Sequence, residues 1–221
     1  MEPKRGFMIK IDYWTDYICP FCYIGETRLW RAIHELGLEN QVEIRIRAFE
    51  LEPSAPQEAE GTVSELMAQK YFISVEEAKK RIDRITQAGQ DEGLDMRYAT
   101  ALTTSTRSAH RLIKLAQHHH DTELVHRLSC LLFQAFFTEN QQLSHTDVLL
   151  HAALQAGMDE AEVKALLASD KFEDEVLADE REMYRQGVAG VPYFSINDRS
   201  IIRGAQPIET FKHHLMRVFR G

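Results

Sequence analysis

Trp14-Thr15-Asp16-Tyr17-Ile18-Cys19-Pro20-Phe21-Cys22 runs from the end of one regular element to the start of another and carries two cysteines at the junction. Upstream, Phe7 to Trp14 is rich in β-branched and aromatic residues in near-alternation with polar ones, which predicts a strand. Downstream, Pro20 suits the first position of a helix, where its missing N–H costs nothing. Leu29, Ile33 and Leu36 continue that helix as an apolar stripe until Gly37 ends it. Val42 to Phe49 then predicts a second strand, so the chain opens as strand, helix, strand, the order of a parallel βαβ unit.

Working outward, Glu50 to Gly61 is a polar connector containing Pro53 and Pro56. From there to about Gln186 the pattern is helical throughout. Capping boxes stand at Thr62 with Glu65 and at Ser74 with Glu77, and Asp159 with Glu162 is an acidic version of the same device. Apolar stripes such as Ile82 with Ile85 and Leu124 with Leu128 and Leu131 supply faces to bury, and about five helices are expected. After Gly187 the period changes again. Tyr193–Ile196 and Ser200–Arg203 read as short strands joined through Asn197-Asp198-Arg199, and a last helix starting at Pro207 buries Ile208, Phe211 and Leu215. The two ends of the chain thus form one α/β domain, split by a helical block.

A Cys-x-x-Cys at a helix start has a specific chemical use. The unpaired N–H groups and partial positive charge there favour a thiolate over a thiol at Cys19. Two intervening residues put Cys22 one turn on, where its sulfur can attack a mixed disulfide formed by the first. Cys19 is the expected nucleophile and Cys22 the resolving thiol. A zinc half-site is the competing reading, but no second Cys or His pair at comparable spacing accompanies it. Cys130 lies among Leu128, Leu131, Leu132 and Phe133 and reads as a small core hydrophobe. His118 to His120 fall at a helix end, while His213 and His214 are adjacent and point to different sides of a helix, so no metal site is expected.

Composition excludes several classes. The 221 residues are 44% hydrophobic and 27% charged, ordinary for a globular protein, with no apolar run of the roughly 20 residues that cross a bilayer. Thirty-four acidic against 26 basic residues give a net charge of −8, which disfavours nucleic acid and anionic membranes as partners. Arg45 and Arg47, alternating along a strand, read as its wet face. Lys4 and Arg5 are followed by an apolar stretch broken at Lys10 and Asp12, so a secretion signal is not expected and the chain is placed in the cytoplasm. A close cysteine pair in that reducing compartment is catalytic or metal-binding rather than structural.

The strand, Cys19-Pro20-Phe21-Cys22 at a helix start, the helical block and Gly190-Val191-Pro192-Tyr193-Phe194 resemble the DsbA family, in particular its cytoplasmic FrnE-like branch. Phe49-Glu50-Leu51-Glu52-Pro53, Arg107-Ser108-Ala109-His110-Arg111-Leu112, Phe137-Thr138-Glu139 and Gly204-Ala205-Gln206-Pro207 extend the resemblance over nearly the whole chain. It implies an α/β, thioredoxin-like fold with a large all-helical insertion domain: residues 1–61 and 187–221 as the split domain, 62–186 as the insertion. It also implies a cis bond at Val191–Pro192 facing the cysteines, with the backbone of Val191 open to β-type pairing with a peptide. Pro20, Phe21, Val191 and Pro192 are therefore the expected substrate-binding residues beside the catalytic Cys19 and Cys22. Trp14, Tyr17 and Phe21 flank the cysteines as groove or core, with core favoured for Trp14.

The implied activity is thiol-disulfide exchange with thiol- or disulfide-containing proteins or small thiols, needing no cofactor, with glutathione as a possible co-substrate. The oligomeric state is left open. Pro20-Phe21 lacks the histidine of the family's secreted oxidants, so strong oxidising power is not implied. Two other readings stand beside it: a glutathione-dependent isomerase or transferase of the same fold, whose relatives carry Ser in place of the first cysteine, and a non-catalytic binding or chaperone-like module.

Overall fold

The computed structural model describes residues 8–188 and 190–220. Phe7, expected to begin the first strand, lies outside the described residues. The architecture is a mixed sheet with helices, in which β1 (Ile9–Thr15), α1 (Pro20–Glu35) and β2 (Val42–Ala48) open the chain, and β3 (Tyr193–Ile196), β4 (Ser200–Arg203) and α9 (Ile208–Arg220) close it. β1 and β2 pair in parallel from Ile9 opposite Val42 to Thr15 opposite Ala48. β1 also pairs antiparallel with β3, and β3 with β4, giving the sheet order β2-β1-β3-β4. This is the thioredoxin-like arrangement, and the helical insertion enters after β2.

The insertion contains more helices than the sequence suggests. Between β2 and β3 run α2 (Val63–Tyr71), α3 (Val75–Gln90), α4 (Arg107–Gln117), α5 (Thr122–Phe137), α6 (Thr146–Ala156), α7 (Glu160–Leu167) and α8 (Glu173–Arg185). Three caps were legible: Thr62, Ser74 and Asp159 each accept a hydrogen bond from the backbone N–H three residues on. α6 begins after His145 and α8 after Phe172, neither of which makes a side-chain cap bond, so no local signal marks their starts.

α5 joins the insertion to α1 through a stack of rings. Tyr23 lies parallel to Phe133 with centroids 4.8 Å apart, and Tyr17 is also 4.8 Å from Phe133. On the other side, α8 and α4 close the outer edge of β2 with polar side chains. Gln117 accepts from the Ile46 N–H at 2.8 Å and donates to the Ile46 carbonyl at 3.2 Å, so one amide does the work of a neighbouring strand. Asp179, 2% exposed, accepts from the Ala48 N–H at 2.9 Å and pairs with both Arg47 and Lys114. Arg47 is thus held in this seam instead of lying on a wet face, while Arg45 is exposed and pairs with Asp12.

Candidate active site

β1 delivers the chain into a tight turn that α1 leaves with the cysteines at its start. Cys19 is the N-cap, with extended backbone (φ −90°, ψ 112°), and Pro20 is the first helical residue. The Cys19 N–H donates to the Asp16 carbonyl at 3.0 Å, and the Cys19 carbonyl accepts from the Cys22 and Tyr23 N–H groups at 3.1 and 3.3 Å. The backbone therefore fixes the cysteine pair across the first turn of the helix. Cys19 and Cys22 are not bridged to one another. Their exposures are 4% and 1%, so Cys19 is the more exposed residue of a buried pair.

The far half of the chain meets this turn. The Val191–Pro192 peptide bond is cis, and the Val191 carbonyl oxygen lies 3.9 Å from Cys19 Sγ. The close approach of α1 to that loop depends on Gly25, where a Cβ would stand 3.1 Å from Pro192 Cγ and 3.2 Å from the Phe194 ring. Of the residues expected to bind substrate, Phe21 is 46% exposed, Val191 is half-buried, and Pro20 and Pro192 are buried. Trp14 and Tyr17 are buried, and Trp14 donates to the Asp179 carbonyl at 3.1 Å, which makes both core.

The electrostatics separate the two sulfurs. Burial pushes the Cys22 thiol well above its usual range, and its contact with Cys19 pushes it further. The buried Thr15 side chain and Asp16 oppose that shift. Burial also raises the phenol of Tyr98, followed by the charges of Cys19 and Asp16. Beneath the pair lies an acidic residue that the sequence reading passed over. Asp16 is fully buried, with Oδ2 accepting from the Leu51 N–H at 2.7 Å and Oδ1 3.5 Å from His110 Nε2. His110 arrives from α4, and the only local signal for the pair was an acidic residue in the turn three positions before Cys19.

Cys130 does not behave as a core hydrophobe. It is half-buried on α5, with Sγ 3.6 Å from His126 Nδ1, one helical turn away. Glu26 of α1 faces the same two residues, its Oε1 lying 3.4 Å from His126 Nδ1. Burial, then the Glu26 charge, pushes the Cys130 thiol upward.

A dithiol at the N-cap of the first helix of a thioredoxin-like sheet, faced by a loop from the last strands, defines a thiol-redox protein of that fold. Residues 10–216 match the DSBA-like thioredoxin domain, and the chain belongs to that family. It is similar to the crystal structure of a probable DsbA oxidoreductase from Streptomyces coelicolor, with 31% identity, 96% of this chain and 90% of that chain covered, and a TM-score of 0.86. It is 25% identical over 209 residues to an uncharacterised protein of Bacillus subtilis, covering 92% of this chain and 94% of that one. The cytosolic disulfide reductase DsbM of Pseudomonas aeruginosa, solved with GSH, shares the fold at 20% identity and a TM-score of 0.64, with 96% and 100% of the two chains covered.

Proposed function

We propose that this chain catalyses thiol-disulfide exchange through Cys19 and Cys22, on protein disulfides or small disulfides, with glutathione as a small-thiol partner. The observation that carries this reading is the placement of Cys19 at the helix N-cap, 3.9 Å from the Val191 carbonyl and with the buried Cys22 one turn behind it. The Cys19 thiolate attacks one sulfur of the substrate disulfide, forming a mixed disulfide and releasing the other sulfur as a thiolate. Cys22 then gives up its proton and attacks Cys19 Sγ, which expels the second substrate thiolate and leaves a Cys19–Cys22 disulfide. Two electrons have moved into the substrate, and two equivalents of glutathione restore the dithiol. Run backwards, the same steps oxidise a substrate dithiol.

At 4% exposure, Cys19 is reached only by displacing what frames it. Phe21 is exposed beside the cysteines and Val191 is half-buried with its carbonyl against Cys19, and an extended peptide lying along Val191 would present its sulfur to Cys19. Within this reading the family branch is FrnE-like and the setting cytoplasmic, as DsbM is described to be cytosolic. Among the described residues, no helix is long and apolar enough to cross a membrane.

The test is a pair of variants. Cys19→Ser is expected to reduce exchange with a peptide disulfide to the uncatalysed rate, while Cys22→Ser accumulates a mixed disulfide at Cys19 visible by mass spectrometry. Wild-type exchange by Cys19→Ser sinks the assignment. Turnover of an aromatic glutathione conjugate by Cys22→Ser, with no mixed disulfide, would select the isomerase or transferase reading instead.

A further inference from the structure

Away from the dithiol, α1 and α5 bring together three side chains that the exchange reaction does not use. Glu26 is 2% exposed. Its Oε2 accepts from the Ser129 hydroxyl at 2.8 Å, but its Oε1 has no hydrogen-bond partner among the described residues. A carboxylate oxygen stranded in a protein interior is costly unless a cation or a donor meets it. Beside the buried Tyr13 phenol, two further metal-ligand side chains meet this carboxylate, and one ligand atom each from Glu26, His126 and Cys130 lie within 4.8 Å of one another.

We infer that Glu26, His126 and Cys130 form a binding site for one divalent transition-metal ion of the zinc class. In a tetrahedral site with metal bonds of about 2.3 Å to sulfur and about 2.0–2.2 Å to nitrogen and oxygen, the edges measure about 3.6 Å from sulfur to nitrogen and about 3.4 Å from nitrogen to oxygen. The corresponding distances here are 3.6 Å, from Cys130 Sγ to His126 Nδ1, and 3.4 Å, from His126 Nδ1 to Glu26 Oε1. Cys130 Sγ is also 3.7 Å from Nε2, so both ring nitrogens lie near the sulfur. Trp30 holds that ring, stacked at a centroid distance of 3.9 Å.

The charge balance suits the ion. On binding, Cys130 releases its proton to solvent, and its thiolate together with the Glu26 carboxylate neutralises a divalent cation, with neutral His126 as third ligand. The half-buried His126 and Cys130 leave a way in from solvent, and water completes the four positions. The mixture of thiolate, imidazole and carboxylate suits zinc over magnesium or calcium, which prefer oxygen donors. His126 and Cys130 are four apart on α5, on one helix face, and Glu26 crosses from α1 one turn beyond Cys22. The ion would therefore tie the dithiol helix to the insertion. Such a site departs from the expectation of no metal, which rested on the lack of a second Cys or His pair beside the dithiol and of a ligand-spaced pair with a carboxylate partner.

The experiment uses the full chain carrying Cys19→Ser and Cys22→Ser, so that the dithiol binds nothing and the outcome is independent of the exchange reading. After treatment with a chelator, this protein is titrated with Co²⁺ and then Zn²⁺. One equivalent of Co²⁺ is expected to give the visible bands of four-coordinate cobalt and a thiolate-to-metal band in the near ultraviolet, both erased by Zn²⁺. Adding Cys130→Ser should remove the thiolate band and weaken Zn²⁺ binding at least about 100-fold, more than the loss of an outer-shell partner. Glu26→Gln should weaken it as well, with circular dichroism confirming that each variant is folded. Absence of the thiolate band in the parent, or its survival after Cys130→Ser, overturns the proposal. Should Glu26→Gln not fold, the outcome with Cys130→Ser, at a half-buried position, decides the matter.

Discussion

At the dithiol, two buried sulfurs lie near a single carboxylate, Asp16, whereas along the outer edge of β2 the chain gathers Asp12, Arg47, Lys114 and Asp179 into one seam. Both regions are buried, and both bring the helical insertion against the sheet. In the seam every charge has an opposite partner, so removing one leaves the others stranded. At the dithiol, burial is the largest influence on Cys22, outweighing the opposing Asp16 and Thr15, and thereby controls the proton on sulfur. Paired charge fixes position there, and unpaired desolvation tunes reactivity here.

Breaking the seam should have the largest effect on stability. Asp179→Ala strips the counter-charge from Arg47 and Lys114 and the acceptor from the Ala48 N–H. Loss of one partner of such a buried set costs about 3–5 kcal/mol, which urea unfolding would register. The protein that remains folded should still exchange disulfides at the wild-type rate.

The comparison sharpens with pH. Since the folded protein holds the Cys22 proton more tightly than the unfolded chain does, the reduced protein has the full benefit below the unfolded thiol value of about 8.5. It loses that benefit progressively as pH rises toward the elevated folded value, because the unfolded chain ionises first. Unfolding of reduced wild type should therefore become easier above about pH 8.5, and the Cys22→Ser variant should show a shallower fall. Parallel curves would remove desolvation as the cause. Burial shifts Lys114 of the seam downward, and that group contributes with the opposite sign.

The smallest change is at the surface of the site. Phe21→Ala removes an exposed ring beside the cysteines, a contact of about 0.5–1.5 kcal/mol. KM for a peptide disulfide should rise about two- to tenfold with kcat unchanged, and KM for a small disulfide should not move. An equal loss for both substrates would mean that Phe21 holds the helix start instead of the substrate.

Much of this molecule could be read locally. The α1 start, β3, β4 and the capped helices each announce themselves within a few residues, and so does the dithiol. What stayed hidden are the contacts made across the chain. Gln117 completes β2 from 71 residues away, and the Asp179 carboxylate reaches the Ala48 N–H from 131 residues away. Neither carries a periodicity or spacing that names its partner. The same holds for Asp16 with His110 and for Glu26 with His126 and Cys130, where each residue alone looks like an ordinary surface or core position. α8 stayed hidden for the opposite reason, since the sequence at its start lacks the side-chain cap that marks other helices, whereas α6, equally uncapped, was legible from the stripe of Val148 and Ala152.

Gly25 acts as a gauge between the two ends of the polypeptide. The width of the cleft at the sulfur is set by an atom that is missing: any side chain there would meet Pro192 and Phe194 at 3.1–3.2 Å and wedge the first helix away from the loop. Enlarging position 25 one methyl at a time would therefore serve as a ruler for how closely the Val191 carbonyl must approach Cys19 for the chemistry to proceed.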